Sequence, residues 1–259
     1  MDCAIPELAL TSLLSRLTGD RRPYAAALEL TRRCNNRCIH CYVDPVGHET
    51  VPEQGTEFWL GLLDALAAEQ CVWLTLTGGD PLLRPDFAAI YEAAKRHGMV
   101  VAVFTNARLV TDAIADLFYE LPPRVVSASI YGATRRTYDH VAQAPGAYDE
   151  AMAGLARLHA RGVPVQLKTV AMRSNVHELD GMRDYAHERG WFFWYDSRIV
   201  PVRDGDRRVL AERLSPEEVV ELDVGDAGRR ESWESISATV AAQGRGRKVF
   251  ACKDRKSVV

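Results

Sequence analysis

No run of roughly 18 continuous apolar residues occurs in the chain, so the sequence predicts no membrane-spanning helix. An excess of positive charge is also missing: Lys and Arg total 32 against 35 Asp and Glu, a net charge of −3. That balance offers no broad cationic face for nucleic acid. The opening Met1-Asp2-Cys3-Ala4-Ile5-Pro6-Glu7 lacks the basic and apolar regions of a signal peptide, which predicts a cytosolic protein with reduced thiols. Internal repeats and low-complexity tracts are absent. Cysteine is scarce, with six in 259 residues, yet Cys34, Cys38 and Cys41 fall within eight positions. In a reducing compartment such crowding indicates metal rather than disulfide.

What is present is an ordinary globular composition, 47% hydrophobic and 26% charged, long enough for one large α/β domain or two small ones. Six short apolar runs recur at 25–31, 72–77, 99–105, 125–131, 163–172 and 191–198. Amphipathic stretches separate them. Phe58, Leu62, Ala65 and Leu66 share a helical face, as do Tyr148, Met152, Leu155 and His159, and then Leu179, Met182 and Ala186. Gly98, Gly162 and Gly190 stand where left-handed helix caps belong, and Pro122-Pro123 stops a helix. Alternating strands and helices with short joints predict parallel strands in a partial, open (β/α)6 barrel of the TIM type. Several strands carry polar residues on one side: Glu29 and Thr31, Ser127, Ser129 and Tyr131, Gln166 and Lys168. Helices must cover the apolar side, so the polar side is predicted to face a hydrated or ligand-filled lumen. We divide the chain into an N-terminal helical segment (1–23), the barrel (24–200) and a C-terminal part (201–259). Ser215 and Pro216 begin one predicted C-terminal helix, and a second is predicted over 231–242. The basic stretch Gly244–Lys248 reads as a solvated tail.

The chemistry concentrates in Thr31-Arg32-Arg33-Cys34-Asn35-Asn36-Arg37-Cys38-Ile39-His40-Cys41-Tyr42, on the loop leaving the first strand. Its spacing is C-x3-C-x2-C. Three thiolates can hold an iron–sulfur cubane, and because such clusters ordinarily take four cysteines, one iron is left free to bind a ligand. The rival is a zinc site, with His48 as a fourth ligand. Thr77-Gly78-Gly79-Asp80-Pro81 follows the second strand, Thr105-Asn106 closes the third, and Ser129-Ile130-Tyr131-Gly132 closes the fourth.

The cysteine loop resembles the signature of the radical S-adenosylmethionine (radical SAM) enzymes, C-x3-C-x-Φ-C, with His40 as the ring residue. The resemblance implies that Cys34, Cys38 and Cys41 bind a [4Fe–4S] cluster whose open iron chelates S-adenosylmethionine. Reductive cleavage then yields a 5′-deoxyadenosyl radical that abstracts hydrogen from a substrate. It implies that Gly78, Gly79 and Asp80 contact the methionine amino group, with Asp80 one methylene shorter than the usual Glu. Ser129 would hold the ribose, against the alternative of a strand-end cap. Asn106 is a cofactor contact or a turn residue. Lys168 would meet the cofactor carboxylate or the substrate, against the alternative of a snorkelling surface lysine.

Leu28–Thr31, Gly79–Phe87, Leu167–Met172 and Leu214–Glu218 resemble the SPASM-type branch. That likeness implies a peptide-modifying enzyme, with a tetrapyrrole or other small molecule as the alternative substrate. It also implies an electron donor such as flavodoxin or ferredoxin. Ile5–Leu17 reads as an apolar-rich helix too short for a leader-peptide binding domain, so a peptide substrate is expected to be delivered by a separate recognition protein. The stretch after Phe250, with Cys252, looks like the opening of a cysteine-rich extension that stops short. Cys3 and Cys71 read as structural or incidental, and Cys252 as a free surface thiol.

Overall fold

The computed structural model describes residues 23–43, 52–202 and 205–242. The expected N-terminal helix over 5–17, Cys3, His48, the basic stretch 244–248 and Cys252 lie outside them. Among the described residues no helix is long and apolar enough to cross a membrane.

Six strands form one sheet in the order of the chain: β1 (Ala25–Glu29), β2 (Trp73–Thr77), β3 (Val100–Thr105), β4 (Val125–Ser129), β5 (Val165–Val170) and β6 (Phe192–Asp196). Every neighbouring pair is parallel, and β1 and β6 are edges, so the sheet is an open barrel. Parallel neighbours require crossovers. These contain α1 (Thr56–Ala68), α2 (Phe87–Arg96), α3 (Asp112–Glu120), α4 (Arg135–Ala142), α5 (Ala147–Ala160) and α6 (Leu179–His187).

Alternation along the strands sorts the side chains. Leu74, Leu76, Val101, Val103, Val126, Ala128 and Leu167 are buried on the convex side. Phe87 and Tyr91 of α2 and Phe118 of α3 pack there as an aromatic cluster. The concave side carries three successive rungs, Ala27–Thr75–Ala102–Val125, then Phe104–Ser127–Gln166–Phe192, then Ser129–Lys168–Trp194. Polar groups therefore do line the lumen, and Gln166 Nε2 donates to Ser127 Oγ at 2.9 Å. Thr31 departs from this expectation. β1 ends at Glu29, so strand alternation no longer governs Thr31, which is buried with its hydroxyl donating to Glu53.

Gly98, Gly162 and Gly190 all take positive φ, as a left-handed cap requires. The face of α1 is a correction: Trp59 and Leu63 are buried, whereas Phe58 is exposed. Both sets satisfy helical spacing, and the wider indole claims the interior. On α5 the buried residues are Ala147, Ala151, Gly154, Leu155 and Leu158, and Tyr148 and Met152 flank them. His159 is exposed, edge-on to Trp191. Leu179, Met182 and Ala186 of α6 are buried as predicted.

The chain divides into two compact units, Met1–Arg213 and Leu214–Val259. In the second, α7 (Pro216–Gly225) opens with a reciprocal capping box between Ser215 and Glu218. The next helix, α8 (Ala227–Ala242), begins four residues before the predicted start. Asp226 accepts the Arg229 N–H at 3.0 Å and so restarts the helix early. Asp223 accepts from Arg229 Nη1 and Trp233 Nε1 and ties the two helices together.

Candidate active site

The loop after β1 is held at both flanks by backbone. Gly79 N–H donates to the Thr31 carbonyl at 2.8 Å, and Asp80 N–H to the Arg33 carbonyl at 2.9 Å. On the other side Arg37 N–H and Ile39 N–H donate to Ala142 and Val141 at the end of α4. Gly78 and Gly79 are required by the first of these contacts. A Cβ on Gly78 would overlap the Thr31 carbonyl oxygen, and one on Gly79 the Arg33 carbonyl oxygen. The glycines thus admit the cysteine loop itself, a role beyond the expected approach to a ligand.

Asp80 does not line the cavity beside the cysteines. Its side chain is fully buried and accepts from Leu82 N at 3.0 Å, Thr105 Oγ1 at 2.7 Å and Asn106 N at 2.8 Å. Burial pushes its carboxyl up, against the pull of those hydrogen bonds. The shorter carboxylate therefore ties β2 to β3. The beneficiary is Asn106, whose Nδ2 donates to Asn35 Oδ1 at 2.6 Å and reaches Cys34 Sγ at 3.8 Å. Asn106 is also a turn residue, since its Oδ1 accepts the Arg108 N–H at 3.0 Å. The turn reading of Asn106 holds, and its amide also faces the cysteine loop.

Arg108 was invisible as a site residue in the sequence. Its Nη1 donates to the Asn35 carbonyl at 2.6 Å and also to Asn36 Oδ1, while Glu150 holds its other edge at 2.7 Å. Arg84 acts likewise at the base of the loop, donating to the carbonyls of Leu30 and Gln54, each at 3.1 Å, and pairing with Asp86. Only an arginine fork reaches several carbonyls at once, and nothing local in the sequence marks those targets.

The three cysteines line one cavity of about 490 Å³, shared with Gly78, Gly79, Asn106, Ser129, Tyr131 and Lys168. That volume suits a ligand of cofactor size. Ser129 and Lys168 sit side by side on β4 and β5 and both face it. Lys168 is no snorkelling surface residue: its Nζ lies 3.3 Å from the centroid of the Phe104 ring.

The donor set fits an iron–sulfur cluster. Burial pushes the Cys34 thiol up to about 11 and raises Cys38 further, and the neighbouring sulfurs add to both shifts. Three clustered thiolates are unfavourable alone and need a cationic centre. Asn36 N–H donates to Cys34 Sγ at 3.4 Å, a contact that would stabilise charge on the sulfur. Buried His40 Nδ1 and Asn36 Nδ2 have no hydrogen-bond partner among the described residues, so polar capacity is left over beside the sulfurs. Burial pushes the His40 imidazole pKa down to about 4 and so holds the ring neutral, and the ring lies edge-on to Tyr131. Among the described residues no three His, Cys, Asp or Glu side chains converge on a single-ion site. Thiolates around one zinc lie within about 4 Å of each other, whereas the corners of a cubane spread them wider.

The chain is similar to several known proteins. The chain is 30% identical over 194 residues to an AdoMet-dependent heme synthase of Methanosarcina barkeri, covering 75% of this chain and 55% of that one. It is 30% identical over 168 residues to a PqqA peptide cyclase of Ruegeria pomeroyi, covering 65% and 45%. The chain thus spans about half the length of the curated relatives it matches. Streptococcus suis SuiB bound to its precursor peptide SuiA has the same fold, with a TM-score of 0.61 at 12% identity, over 74% of this chain and 45% of that one. A family profile described as the radical SAM superfamily matches residues 28–186, which include the three cysteines, the two glycines and the Ser129–Lys168 wall, and the chain belongs to that superfamily.

Proposed function

We propose that the chain is a radical SAM enzyme that acts on a ribosomally made peptide. The observation that carries the chemistry is the convergence of Cys34, Cys38 and Cys41 on one cavity with the Gly78–Gly79 backbone, Ser129 and Lys168. When bound there, a [4Fe–4S] cluster with S-adenosylmethionine would supply one-electron cleavage of the sulfonium and a 5′-deoxyadenosyl radical for hydrogen abstraction.

The chain's own residues supply position and exclusion. Cys34, Cys38 and Cys41 would ligate the cluster, and the three sulfurs leave a fourth corner free. The backbone at Gly78 and Gly79 would meet the methionine end. Ser129 would hold the ribose hydroxyls, and His40 would shield the cluster as a neutral ring. Asp80 is a positioning residue: it sets Asn106, which in turn orients the sulfur-bearing loop.

The peptide substrate is supported by the likeness to the PqqA peptide cyclase and to SuiB with its precursor peptide. The similarity to a heme synthase favours a second reading, a tetrapyrrole in the same lumen. A one-electron donor of the flavodoxin or ferredoxin type and a separate peptide-delivery protein complete the proposal.

The test is anaerobic reconstitution with iron and sulfide, then dithionite and S-adenosylmethionine. A brown protein that releases 5′-deoxyadenosine supports the reading. A colourless zinc protein that binds no S-adenosylmethionine overturns it. Mass spectrometry of co-expressed short peptides then separates the peptide from the tetrapyrrole.

A further inference from the structure

Lys168 has an amino group for which the described residues provide no carboxylate partner. The residue is partly buried, its ammonium reaches the face of Phe104, and burial pushes its pKa down to about 7. An aromatic face attracts a cation without neutralising it. The other charged groups on this wall are Arg37, Arg198 and Asp196. Asp196 is already engaged: its carboxylate accepts the Arg198 N–H at 2.9 Å and lies 3.6 Å from Arg198 Nη2. Asp80, the buried acid on β2's side, is saturated by three donors. The cavity wall therefore has more cationic than anionic groups, and its most buried cation has no carboxylate partner among the described residues.

The position matters as much as the charge. Lys168 starts on the Ser129 rung but points its ammonium to Phe104, which belongs to the rung below. Two residues along a strand is about 7 Å, directed away from the mouth that the cysteine loop occupies. We propose that Lys168, backed by the ring of Phe104, is a subsite for a carboxylate of the substrate, lying below the cofactor. This rests on the radical SAM reading and names the substrate chemistry: an acidic side chain or free C-terminus of a peptide. A carboxylate arriving there gains a charge-assisted hydrogen bond in a partly desolvated setting, and Phe104 keeps the ammonium aimed at it.

The experiment is pulse acetylation of the protein with acetic anhydride, read at Lys168 by peptide mass spectrometry. Propionate is the probe, at about 50 mM, with propionamide and chloride of equal ionic strength as controls. Propionate slows modification of Lys168 by about three-fold, with or without saturating S-adenosylmethionine, and the amide and chloride do not. Exposed lysines serve as internal references. Absence of propionate protection overturns the proposal. Protection by S-adenosylmethionine alone, with loss of the propionate effect, also overturns it and assigns the lysine to the cofactor carboxylate. Propionate line broadening, read by NMR, provides a second measure: Lys168→Met abolishes it and Lys168→Arg retains it. Release of 5′-deoxyadenosine is assayed on the same wild-type preparation. Cleavage without protection defeats this inference alone, whereas absence of cleavage defeats the radical SAM reading itself.

Discussion

The two ends of the lumen are built from the same strands and carry different chemistry. The C-terminal end holds the three cysteines, the glycine pair, Asn106, Ser129 and Lys168 around about 490 Å³. The N-terminal end is larger, about 900 Å³, and is walled by Trp73, Ala102, Val125, Pro164, Gln166 and Phe192. Two of its residues already have aromatic neighbours: Arg189 stacks on Tyr185, and His159 meets Trp191 edge-on. Volume therefore does not locate the chemistry. Loop geometry does. At the N-terminal end, helices pass into β3, β5 and β6 through the short joints 97–99, 161–164 and 188–191, each turned by a positive-φ glycine. At the other end, β1 reaches α1 only across 30–55. Parallel strands put every strand-to-helix joint on one side, and in barrels of this type active sites gather there.

Variants can break this contrast, and the largest effect is expected at the sulfurs. Cys38→Ala abolishes stable cluster loading and 5′-deoxyadenosine release, read by iron analysis and product assay. Next is Gly79→Ala, whose Cβ meets the Arg33 carbonyl. It costs about 3 kcal/mol in urea unfolding and displaces the cysteine loop, because backbone cannot give way as a flexible side chain can. Asp80→Ala strands the Leu82, Thr105 and Asn106 donors and costs about 2–3 kcal/mol, and it lowers iron loading through Asn106. Asp80→Asn recovers part of that loss, an outcome a direct charge contact to the cofactor would not produce.

At the N-terminal end, Gln166→Met removes the partner of buried Ser127 and costs about 1–2 kcal/mol, with cleavage of S-adenosylmethionine unchanged. A loss of cleavage there would break the contrast. The most gradual effect is a slope. Burial lowers the Lys168 pKa from 10.5 to about 7, so across that window the unfolded chain binds more protons than the folded one. Stability from this group therefore rises with pH above about 7, by at most about 1.4 kcal/mol per pH unit, and Lys168→Met flattens the rise.

Much of the fold was legible because its signals are local. Each of the six apolar runs contains a strand, shorter at its ends than the run, and three glycines mark the helix caps. The face of α1 was not legible, since Phe58 and Trp59 both fit an amphipathic pattern and tertiary packing chose between them. The cysteines were legible because a single loop presents all three. Asp80 was legible as a motif and not in its role, because its partners Thr105 and Asn106 arrive from the next strand. Arg108 and Arg84 carried no signal, as each acts through carbonyls distant in the chain.

By itself the sequence determined the strand-and-helix alternation, the polar side of the strands and the trio of sulfurs, all of which depend on spacing within a few residues. Tertiary structure alone decided that Gly78 and Gly79 admit the cysteine loop and that Asp80 braces Asn106. It also set the Lys168 ammonium against Phe104. Those outcomes depend on register between strands, a non-local quantity that is settled only when the sheet forms.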